Sequence, residues 1–269
     1  MNKTILITGA TDGIGLETAK LLRAEGHDLL LHGRSDSKVA AVHDATAAIA
    51  GSGRIATYCA DLSSILATRR LAKEVLKNEP KIDVLINNAG VFSMSDPIIE
   101  GGLDARFMVN TIAPYILATQ LANLLGTDGR IVNLSSAAQA PVSLAAFNGD
   151  QRLSDNQAYA QSKLAITMWS RHLADKFGNG GPAVIAVNPG SLLGSKMVKE
   201  AYGTQGKDLS IGAEILLRAA TSPDFAVGTG RYFDNDNGKF REPHPDAADP
   251  AKNAALVEAI ERLLRQTGA

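Results

Sequence analysis

The chain has 269 residues, of which 45% are hydrophobic and 20% charged, and its formal net charge is -1. These values are typical of a globular protein of one or two domains, and they indicate neither a nucleic-acid surface nor an anionic membrane patch. A single cysteine, Cys59, excludes an internal disulfide, and the five histidines show no metal-ligand spacing. The apolar run at the N-terminus is too short for a signal peptide or membrane span, so we expect a cytoplasmic protein without a metal site.

Apolar runs rich in β-branched residues alternate with segments of helical periodicity. The predicted strands cover 4–9, 28–33, 54–60, 82–90, 129–136, 182–190 and 230–235. The predicted helices cover 14–25, 37–50, 64–78, 111–125, 157–177 and 251–266. This alternation, with strands that are apolar throughout, predicts an α/β fold with a doubly wound parallel sheet (Rossmann-like) in three layers, as a single domain over 1–269.

The remaining segments are predicted as loops, and 137–156 and 191–208 are expected to be the variable ones. Residues 234–250 are rich in Pro, Asp, Asn and Gly and are predicted as a loop before the last helix. Apolar residues recur at helical spacing in 191–208, namely Leu192, Leu193, Met197, Val198, Ala201 and Tyr202. They indicate either a mobile substrate lid with an apolar inner side or ordinary core packing.

The first strand leads into the glycine-rich turn "TGATDGIG", with Gly9, Gly13 and Gly15. Glycine permits a tight turn in which backbone N–H groups approach a pyrophosphate at the positive end of the next helix. Ligands of doubly wound sheets bind beyond the carboxyl ends of the strands, so the turn predicts a dinucleotide site there. The alternative is a glycine-rich turn without a ligand.

The second strand ends in "LLLHGRSDSK", which bears on the choice of coenzyme. Dinucleotide folds usually select NAD with an acidic residue near this point and NADP with an arginine. Arg34 follows Gly33, and a guanidinium can pair with a 2′-phosphate that a carboxylate would repel. NADP(H) is therefore favoured over NAD(H), with Ser35 and Lys38 in support. The alternative is a solvated arginine at a helix start.

Three further motifs are "NNAG" at 87–90, "YAQSK" at 159–163 and "NPG" at 188–190. Together with the glycine turn, their order and spacing resemble the short-chain dehydrogenase/reductase family over nearly the whole chain. The sequence around "YAQSKLA" is similar to that of the retinol-dehydrogenase-like branch. The resemblance implies an oxidoreductase that interconverts a small carbonyl and an alcohol, and a homodimer or homotetramer associated through helices 111–125 and 157–177.

Hydride transfer to a carbonyl requires a proton donor and hydrogen bonds to the oxygen. A free tyrosine has a pKa of about 10, which a nearby ammonium lowers, and Lys163 lies one helical turn after Tyr159. The resemblance makes Tyr159 the acid/base and Lys163 its tuner and a ligand of the nicotinamide ribose. It implies Ser136 as the serine on the substrate oxygen, with Ser135 as the alternative, and Asn110 as the holder of a water beside Lys163.

The family pattern also implies a set of coenzyme contacts. The expected residues are Gly9, Thr11, Asp12, Gly13, Ile14, Gly15, Arg34, Ser35, Asp61, Leu62, Asn87, Ala89, Gly90, Tyr159, Lys163, Pro189, Gly190 and Leu192. Asp12 stands where NADP-using relatives often carry a basic residue. Asp61 is expected at the adenine, or else as an acid at a helix start, and Asn87 either lines the site or hydrogen-bonds neighbouring strands.

Two departures from the family pattern concern the substrate end. The gap between Ser136 and Tyr159 is longer than in many relatives, and its extra residues around 147–156 are expected to form a surface loop. Gly194 stands where the family usually has a threonine for the nicotinamide carboxamide, so either Ser195 or the backbone of Leu192 takes that role.

Two other functions are compatible with a coenzyme-binding fold. One is a catalytically idle NADP(H)-binding sensor, although the four expected catalytic residues are all present. The other is a lyase or epimerase that retains its coenzyme, although such chains usually add a larger C-terminal substrate domain.

Overall fold

Eight β-strands form one sheet in the computed structural model, which describes residues 2–203 and 205–267. The strands are β1 (Thr4–Ile7), β2 (Asp28–Gly33), β3 (Ile55–Cys59), β4 (Val84–Asn87), β5 (Arg130–Leu134), β6 (Ala183–Asn188), β7 (Tyr232–Asp234) and β8 (Lys239–Arg241). Their order is β3-β2-β1-β4-β5-β6-β7-β8, with β8 antiparallel to β7 and all other neighbours parallel. The order reverses between β1 and β4, which places a ligand crevice at their carboxyl ends.

Helices cover both faces of the sheet, which makes three layers. The helices are α1 (Gly13–Ala24), α2 (Asp36–Ala47), α3 (Ile65–Asn78), α4 (Ala105–Phe107), α5 (Ala113–Gln120), α6 (Ala122–Leu125), α7 (Leu144–Phe147), α8 (Asp155–Phe177), α9 (Lys196–Tyr202), α10 (Ser210–Thr221) and α11 (Pro250–Gln266). One hydrophobic core lies under α3, α5, α8 and α11, and the other lies under α1, α2 and α10. The predicted doubly wound α/β fold is confirmed.

The uninterrupted apolar strands have a direct structural reason. Successive residues of β1 point to opposite faces, so Leu6 packs in one core while Ile5 and Ile7 pack in the other. All three side chains are fully buried. A strand covered on both faces needs apolar residues at every position, which is what the sequence pattern indicated.

The prediction of a loop over 234–250 is wrong. The chain turns at Asp234–Asn237 and returns as β8, and a 3₁₀ turn follows at Pro245–Ala248. Phe240 of β8 stacks edge-on against Phe233 at 5.1 Å between ring centroids and also contacts Phe225. These aromatic contacts between residues distant in sequence stabilise an edge strand too short to show a period of its own.

Helix α10 was not predicted, although its sequence carries a helical signal. Its buried positions include Ile215, Leu216, Ala219 and Ala220, which recur at the spacing of one helix face. The helix packs against α1 and closes the core on that side of the sheet.

The predicted helix 111–125 begins earlier and is not uniform. A π-helical turn at Met108–Ile112 joins α4 to α5, and it contains Asn110. The proline at the start of α5 cannot donate an N–H, which favours a change of hydrogen-bond pattern here. Such π turns are frequent at functional sites because they aim side chains and backbone groups differently from a regular helix.

Helix α11 lies along α8 and α5. The Tyr115 hydroxyl on α5 donates to Glu261 of α11 at 2.6 Å, and the Arg69 guanidinium donates to the Leu264 carbonyl at 2.6 Å. Helix α11 therefore covers one side of the two helices that were expected to associate with a second copy. No helix within the described ranges has the length and apolar character needed to cross a membrane.

Candidate active site

The glycine turn after β1 forms a cradle at the N-terminus of α1. Gly9 and Gly13 have φ of 65° and 55°, which favour glycine, and a Cβ on Gly15 would overlap the Gly9 carbonyl oxygen. Asp12 caps α1, its carboxylate accepting the Gly13 N–H at 2.7 Å. Asp12, at a position where NADP-using relatives often carry a basic residue, thus has a structural role as a helix cap.

Asn88 and Thr8, which the sequence analysis did not select, hold this turn against the end of β4. The Asn88 amide donates to the Thr8 and Gly9 carbonyls at 2.9 and 3.0 Å. The Thr8 hydroxyl accepts the N–H groups of Asn88 and Ala89 at 3.0 and 3.1 Å. Their signal in the sequence was their position, since both are polar residues at the carboxyl end of a central strand.

The side chain of Asn87 takes the second of its two expected roles. Its amide donates to the Asn133 side chain of β5 at 2.8 Å, inside the core between strands and α8. Gly90 lies at the crevice, where a Cβ would stand 3.4 Å from Asn110 Oδ1 and 3.6 Å from Lys163 Nζ. Within the motif "NNAG", Asn88 therefore binds the glycine turn, and Gly90 lies next to Lys163 of α8.

Arg34 lies exposed just past β2, beside the glycine turn. Gly33 makes this possible, because a Cβ there would overlap the Thr11 side chain. Among the described residues, the Arg34 side chain makes no hydrogen bond or ion pair, and Ser35 is the N-cap residue of α2. The guanidinium is thus available to an anionic ligand at this corner of the crevice.

Asp61 and Leu62 form the neighbouring wall after β3. The Asp61 carboxylate is exposed and accepts the N–H and hydroxyl of Ser63 at 2.9 and 2.8 Å. The N-cap of α3 is Ser64, whose hydroxyl accepts the Ala67 N–H at 3.2 Å, so Asp61 is not the helix-capping acid. Leu62 is buried beneath this turn.

Tyr159 and Lys163 lie one turn apart on α8. The Tyr159 ring is half-buried and packs against Phe92 at 4.8 Å between centroids. Lys163 Nζ lies 5.7 Å from the centre of the Tyr159 ring and donates to the Leu134 carbonyl at 2.8 Å. Lys163 is 4% exposed, and this burial lowers the pKa of its ammonium to about 8.

Asn110 is held by protein groups on both sides of its amide. Its Oδ1 accepts the Val91 N–H at 2.8 Å, and its Nδ2 donates to the Val91 carbonyl and the Ser162 hydroxyl, both at 2.9 Å. Ser162 in turn donates to the Tyr159 carbonyl at 2.7 Å. Asn110 and Ser162, the latter not predicted, thus tie the segment after Gly90 to the helix turn of Tyr159.

The two candidate serines have different surroundings. Ser135 is buried, and its hydroxyl contacts the Lys163 carbonyl at 3.1 Å and the Thr167 hydroxyl at 2.7 Å. Ser136 is half-buried, and its hydroxyl oxygen accepts the Ala138 N–H at 3.1 Å, which leaves its hydrogen available to a further acceptor. The geometry therefore favours Ser136 over Ser135 as a substrate contact.

The segment after β6 closes the other end of the crevice. Gly190 has φ of 125° and Leu192 φ of 55°, the latter a left-handed conformation that is rare outside glycine. Leu193 is 2% exposed and packs in the fold, whereas Leu192 is 48% exposed. The Ser195 hydroxyl caps α9 by accepting the Val198 N–H at 3.3 Å.

The apolar side chains of 191–208 therefore lie partly in the packed interior and partly at the surface. Leu193 belongs to the packing, and Leu192 does not. Met197 on α9 reaches across the crevice, its Cε 3.8 Å from the Cβ position of Gly90. The side chains of Ala201 and Tyr202, and the whole of Thr204, lie outside the described residues.

The short chain dehydrogenase family model matches residues 3–206. The chain belongs to the short-chain dehydrogenase/reductase family. Human retinol dehydrogenase 14 is 30% identical to this short-chain dehydrogenase over 291 residues, which cover 97% of this chain and 86% of that protein. The short-chain dehydrogenase TIC 32 B of Brassica napus is 30% identical over 257 residues, which cover 87% and 80%. The predicted family and its retinol-dehydrogenase-like branch are confirmed, and so is the prediction that the protein is an oxidoreductase.

Two solved structures share the fold of this short-chain dehydrogenase. A crystal structure of an uncharacterised Mycobacterium paratuberculosis protein has a TM-score of 0.80 at 25% identity, covering 98% of this chain and 93% of the other. A Burkholderia cenocepacia short chain dehydrogenase in complex with NADP has a TM-score of 0.70 at 26% identity, covering 87% and 95%.

The crevice of this short-chain dehydrogenase fits a nicotinamide dinucleotide. Gly9 and Gly15 let the turn pack closely against Ala89 and Asn88, and a Cβ on Gly13 would meet only the Ser195 Cβ, at 3.8 Å. The N-terminus of α1 provides the positive end of a helix for a pyrophosphate. Arg34 and Lys163 supply positive charge at the two ends of the crevice. The arrangement can hold an extended anionic ligand with one end beside Tyr159.

Proposed function

We propose that this protein is an NADP(H)-dependent oxidoreductase that interconverts a carbonyl and an alcohol, with Tyr159 as acid/base. The observation that carries the proposal is the buried Lys163 ammonium, held by the Leu134 carbonyl beside the Tyr159 ring and next to Gly90. Burying a lysine is costly, and here the charge lies beside a group that must exchange a proton.

The coenzyme, when bound, supplies or accepts the hydride. Tyr159 delivers a proton to the alkoxide oxygen in reduction and removes it in oxidation. The Lys163 ammonium stabilises the tyrosinate left after proton transfer and can donate to ribose hydroxyls. Ser136 donates a hydrogen bond to the same substrate oxygen, and Asn110 fixes the segment 90–91 against α8.

Two further groups have matching roles at the ends of the dinucleotide. Arg34 pairs with the 2′-phosphate, which supports NADP(H) over NAD(H). At the nicotinamide end the Ser195 hydroxyl caps α9 but keeps its hydrogen to donate to the carboxamide, and the alternative contact is through the backbone of the exposed, left-handed Leu192. Pro189 and Gly190 precede it.

The substrate that we propose is a small apolar carbonyl compound or alcohol. Phe92 packs against Tyr159, Leu192 is exposed at the rim, and Met197 lies across the crevice, so the surfaces around the reacting atoms are largely apolar. The single cysteine of the chain fits the reducing cytoplasm as its location.

The test compares turnover of both coenzymes across a panel of aldehydes, ketones and alcohols, read as nicotinamide absorbance. We expect Tyr159→Phe to reduce kcat by at least about 10³-fold while NADPH binding measured by calorimetry stays within threefold, because the ring and the crevice are retained. Tyr115→Phe removes a hydroxyl on α5 and serves as the control, with turnover unchanged.

The coenzyme preference is tested in the same assay. Arg34→Ala should raise the KM for NADPH about tenfold or more and leave the KM for NADH nearly unchanged, since only NADPH carries the 2′-phosphate. Arg70→Ala, an exposed arginine of α3, is the control. Full activity of Tyr159→Phe would refute the acid/base role, and equal effects of Arg34→Ala on both coenzymes would refute the NADP(H) preference.

A further inference from the structure

His32 lies near the end of β2, two residues before Arg34, and is 2% exposed. Both ring nitrogens have backbone partners in different loops of the crevice. Nδ1 accepts the Gly9 N–H at 3.3 Å, in the glycine turn after β1. Nε2 contacts the Ala60 carbonyl at 3.0 Å, in the segment after β3 that leads to Asp61.

These partners define one form of the ring. Since Gly9 donates, Nδ1 carries no hydrogen, and since the Ala60 carbonyl accepts, Nε2 carries it. Burial lowers the pKa of His32 to about 4, against the opposing effects of the Ala60 carbonyl and the Asp61 carboxylate, so the ring is neutral at physiological pH. The neutral tautomer is the form that satisfies both loops at once.

The backbone around His32 reinforces the same connection. The His32 carbonyl accepts the Ala10 N–H at 2.9 Å, and the Gly33 carbonyl accepts the Ala60 N–H at 3.1 Å. The strand end thus binds the glycine turn on one side and the β3 segment on the other. The backbone bonds are available to any residue type, whereas the two side-chain bonds require an acceptor and a donor on one rigid ring.

We propose that His32 is a positioning residue of the coenzyme site, which fixes the glycine turn relative to the Asp61–Leu62 wall on either side of Arg34. The inference rests on the proposed function, because these three elements surround the adenosine half of the dinucleotide. Without the ring acceptor, the Gly9 N–H loses its partner and the turn that carries Gly9 can change its conformation. The reacting end at Tyr159 lies on other elements and is not touched by His32.

The experiment measures binding of adenosine 2′,5′-bisphosphate, which carries both phosphates of the adenosine half and no nicotinamide, by calorimetry. His32→Phe keeps a ring and removes both hydrogen bonds, and we expect about tenfold weaker binding. His32→Asn retains an acceptor near the Nδ1 position and His32→Gln a donor near the Nε2 position. We expect Asn to restore binding to within about threefold of the wild type and Gln to restore less, because the Gly9 bond shapes the phosphate cradle.

The control is His27→Phe, at the opposite end of β2. His27 is also buried and accepts a backbone N–H, that of Lys3 at 3.2 Å, but it lies away from the crevice. The His27 variant should lose thermal stability without losing affinity for the bisphosphate. In turnover, His32→Phe should raise the KM for NADPH about tenfold while kcat at saturating coenzyme stays within twofold, a split that general destabilisation would not produce.

The possible outcomes separate this inference from the proposed function. Wild-type protein that binds no bisphosphate would refute the NADP(H) site itself. If the wild type binds the bisphosphate, then unchanged affinity in His32→Phe, or equal losses of affinity in His32→Phe and His27→Phe, would refute only the positioning role. Should His32→Phe fail to fold, the order of affinities of the Asn and Gln variants decides, and a Gln variant equal to or better than Asn overturns the inference.

Discussion

Lys163 combines a charged group with nearly complete burial, and its ammonium donates to the Leu134 carbonyl. An ammonium in such a place costs free energy of folding, which is why burial lowers its pKa to about 8. A residue kept there against stability is what one expects of a group whose charge is used in the reaction.

Replacing this lysine by an apolar side chain of similar length should therefore stabilise the protein without coenzyme. We expect Lys163→Met to raise the free energy of unfolding by about 2 kcal/mol at pH 7 and to abolish turnover. Chemical denaturation measures the first effect and nicotinamide absorbance the second. Lys176→Met, an exposed position on the same helix, should change neither by much.

The pH dependence of this difference in stability follows from the direction in which the pKa of Lys163 is shifted. The folded-state pKa of about 8 lies below the ordinary value of 10.5, so between these values the unfolded chain binds more protons. As pH rises through this window, the free energy of unfolding of the wild type should increase relative to that of Lys163→Met. Below the window, the cost of burying the charged lysine should be present in full. A wild type more stable than the variant at neutral pH would contradict this account of Lys163.

At the scale of elements, the β7–β8 hairpin supports the segment after β6. Its turn residue Asp236 accepts the Ser191 N–H at 2.9 Å and the Asn188 amide at 2.9 Å, and Asn235 donates to the Pro189 carbonyl at 2.9 Å. Burial opposes ionisation of Asp236, but hydrogen bonds from Ser191 and Asn188 hold its pKa below the usual range. The carboxylate thus maintains the conformation that leads into the left-handed Leu192.

Loss of this support should affect the nicotinamide end alone. We expect Asp236→Ala to raise the KM for NADPH about fivefold, because the segment at Leu192 would no longer be held, and to leave adenosine 2′,5′-bisphosphate binding unchanged. Steady-state kinetics and calorimetry measure the two quantities. Lys239→Ala, exposed on the same hairpin, is the control, and weakened bisphosphate binding in Asp236→Ala would contradict the assignment.

At the scale of the molecule, α11 occupies the outer side of α8. Residues 161–170 of α8 are all buried within one chain, and Trp169 packs edge-on against Tyr115 at 5.6 Å between ring centroids. A helix that formed a subunit interface would leave an apolar stripe exposed in the isolated chain. The chain's own last helix covers one side of 111–125 and 157–177, so association through that side, which the sequence analysis expected, would require α11 to move.

The intact protein should accordingly not associate through α5 and α8. We expect a monomer in light scattering, and concentration-dependent self-association in the double variant Leu256→Asp and Ile260→Asp, which places charges at two buried positions of α11. Arg262→Asp, at an exposed position on the same helix, is the control. A dimer of the intact protein cross-linked between its α5 or α8 helices would show that this expectation is wrong.

Features encoded in contiguous residues were predictable. The strands and most helices follow from periodicity, the dinucleotide crevice from the glycine turn after β1, and the Tyr159–Lys163 pair from its spacing on a helix. Each depends on backbone preference and on which face of an element is buried, so a local pattern suffices. The catalytic and coenzyme roles of individual residues remain predictions until the variants are measured.

Features that depend on which side chains meet across the sheet were not accessible in this way. The direction of Asn87 and Asn88, the burial of Ser135 against the exposure of Ser136, the two partners of His32 and the edge strand at Lys239–Arg241 all depend on contacts between residues far apart in the chain. So does the covering of α8 by α11. A side chain's hydrogen-bond partner and its access to solvent are properties of the packed arrangement, and no single segment carries that information.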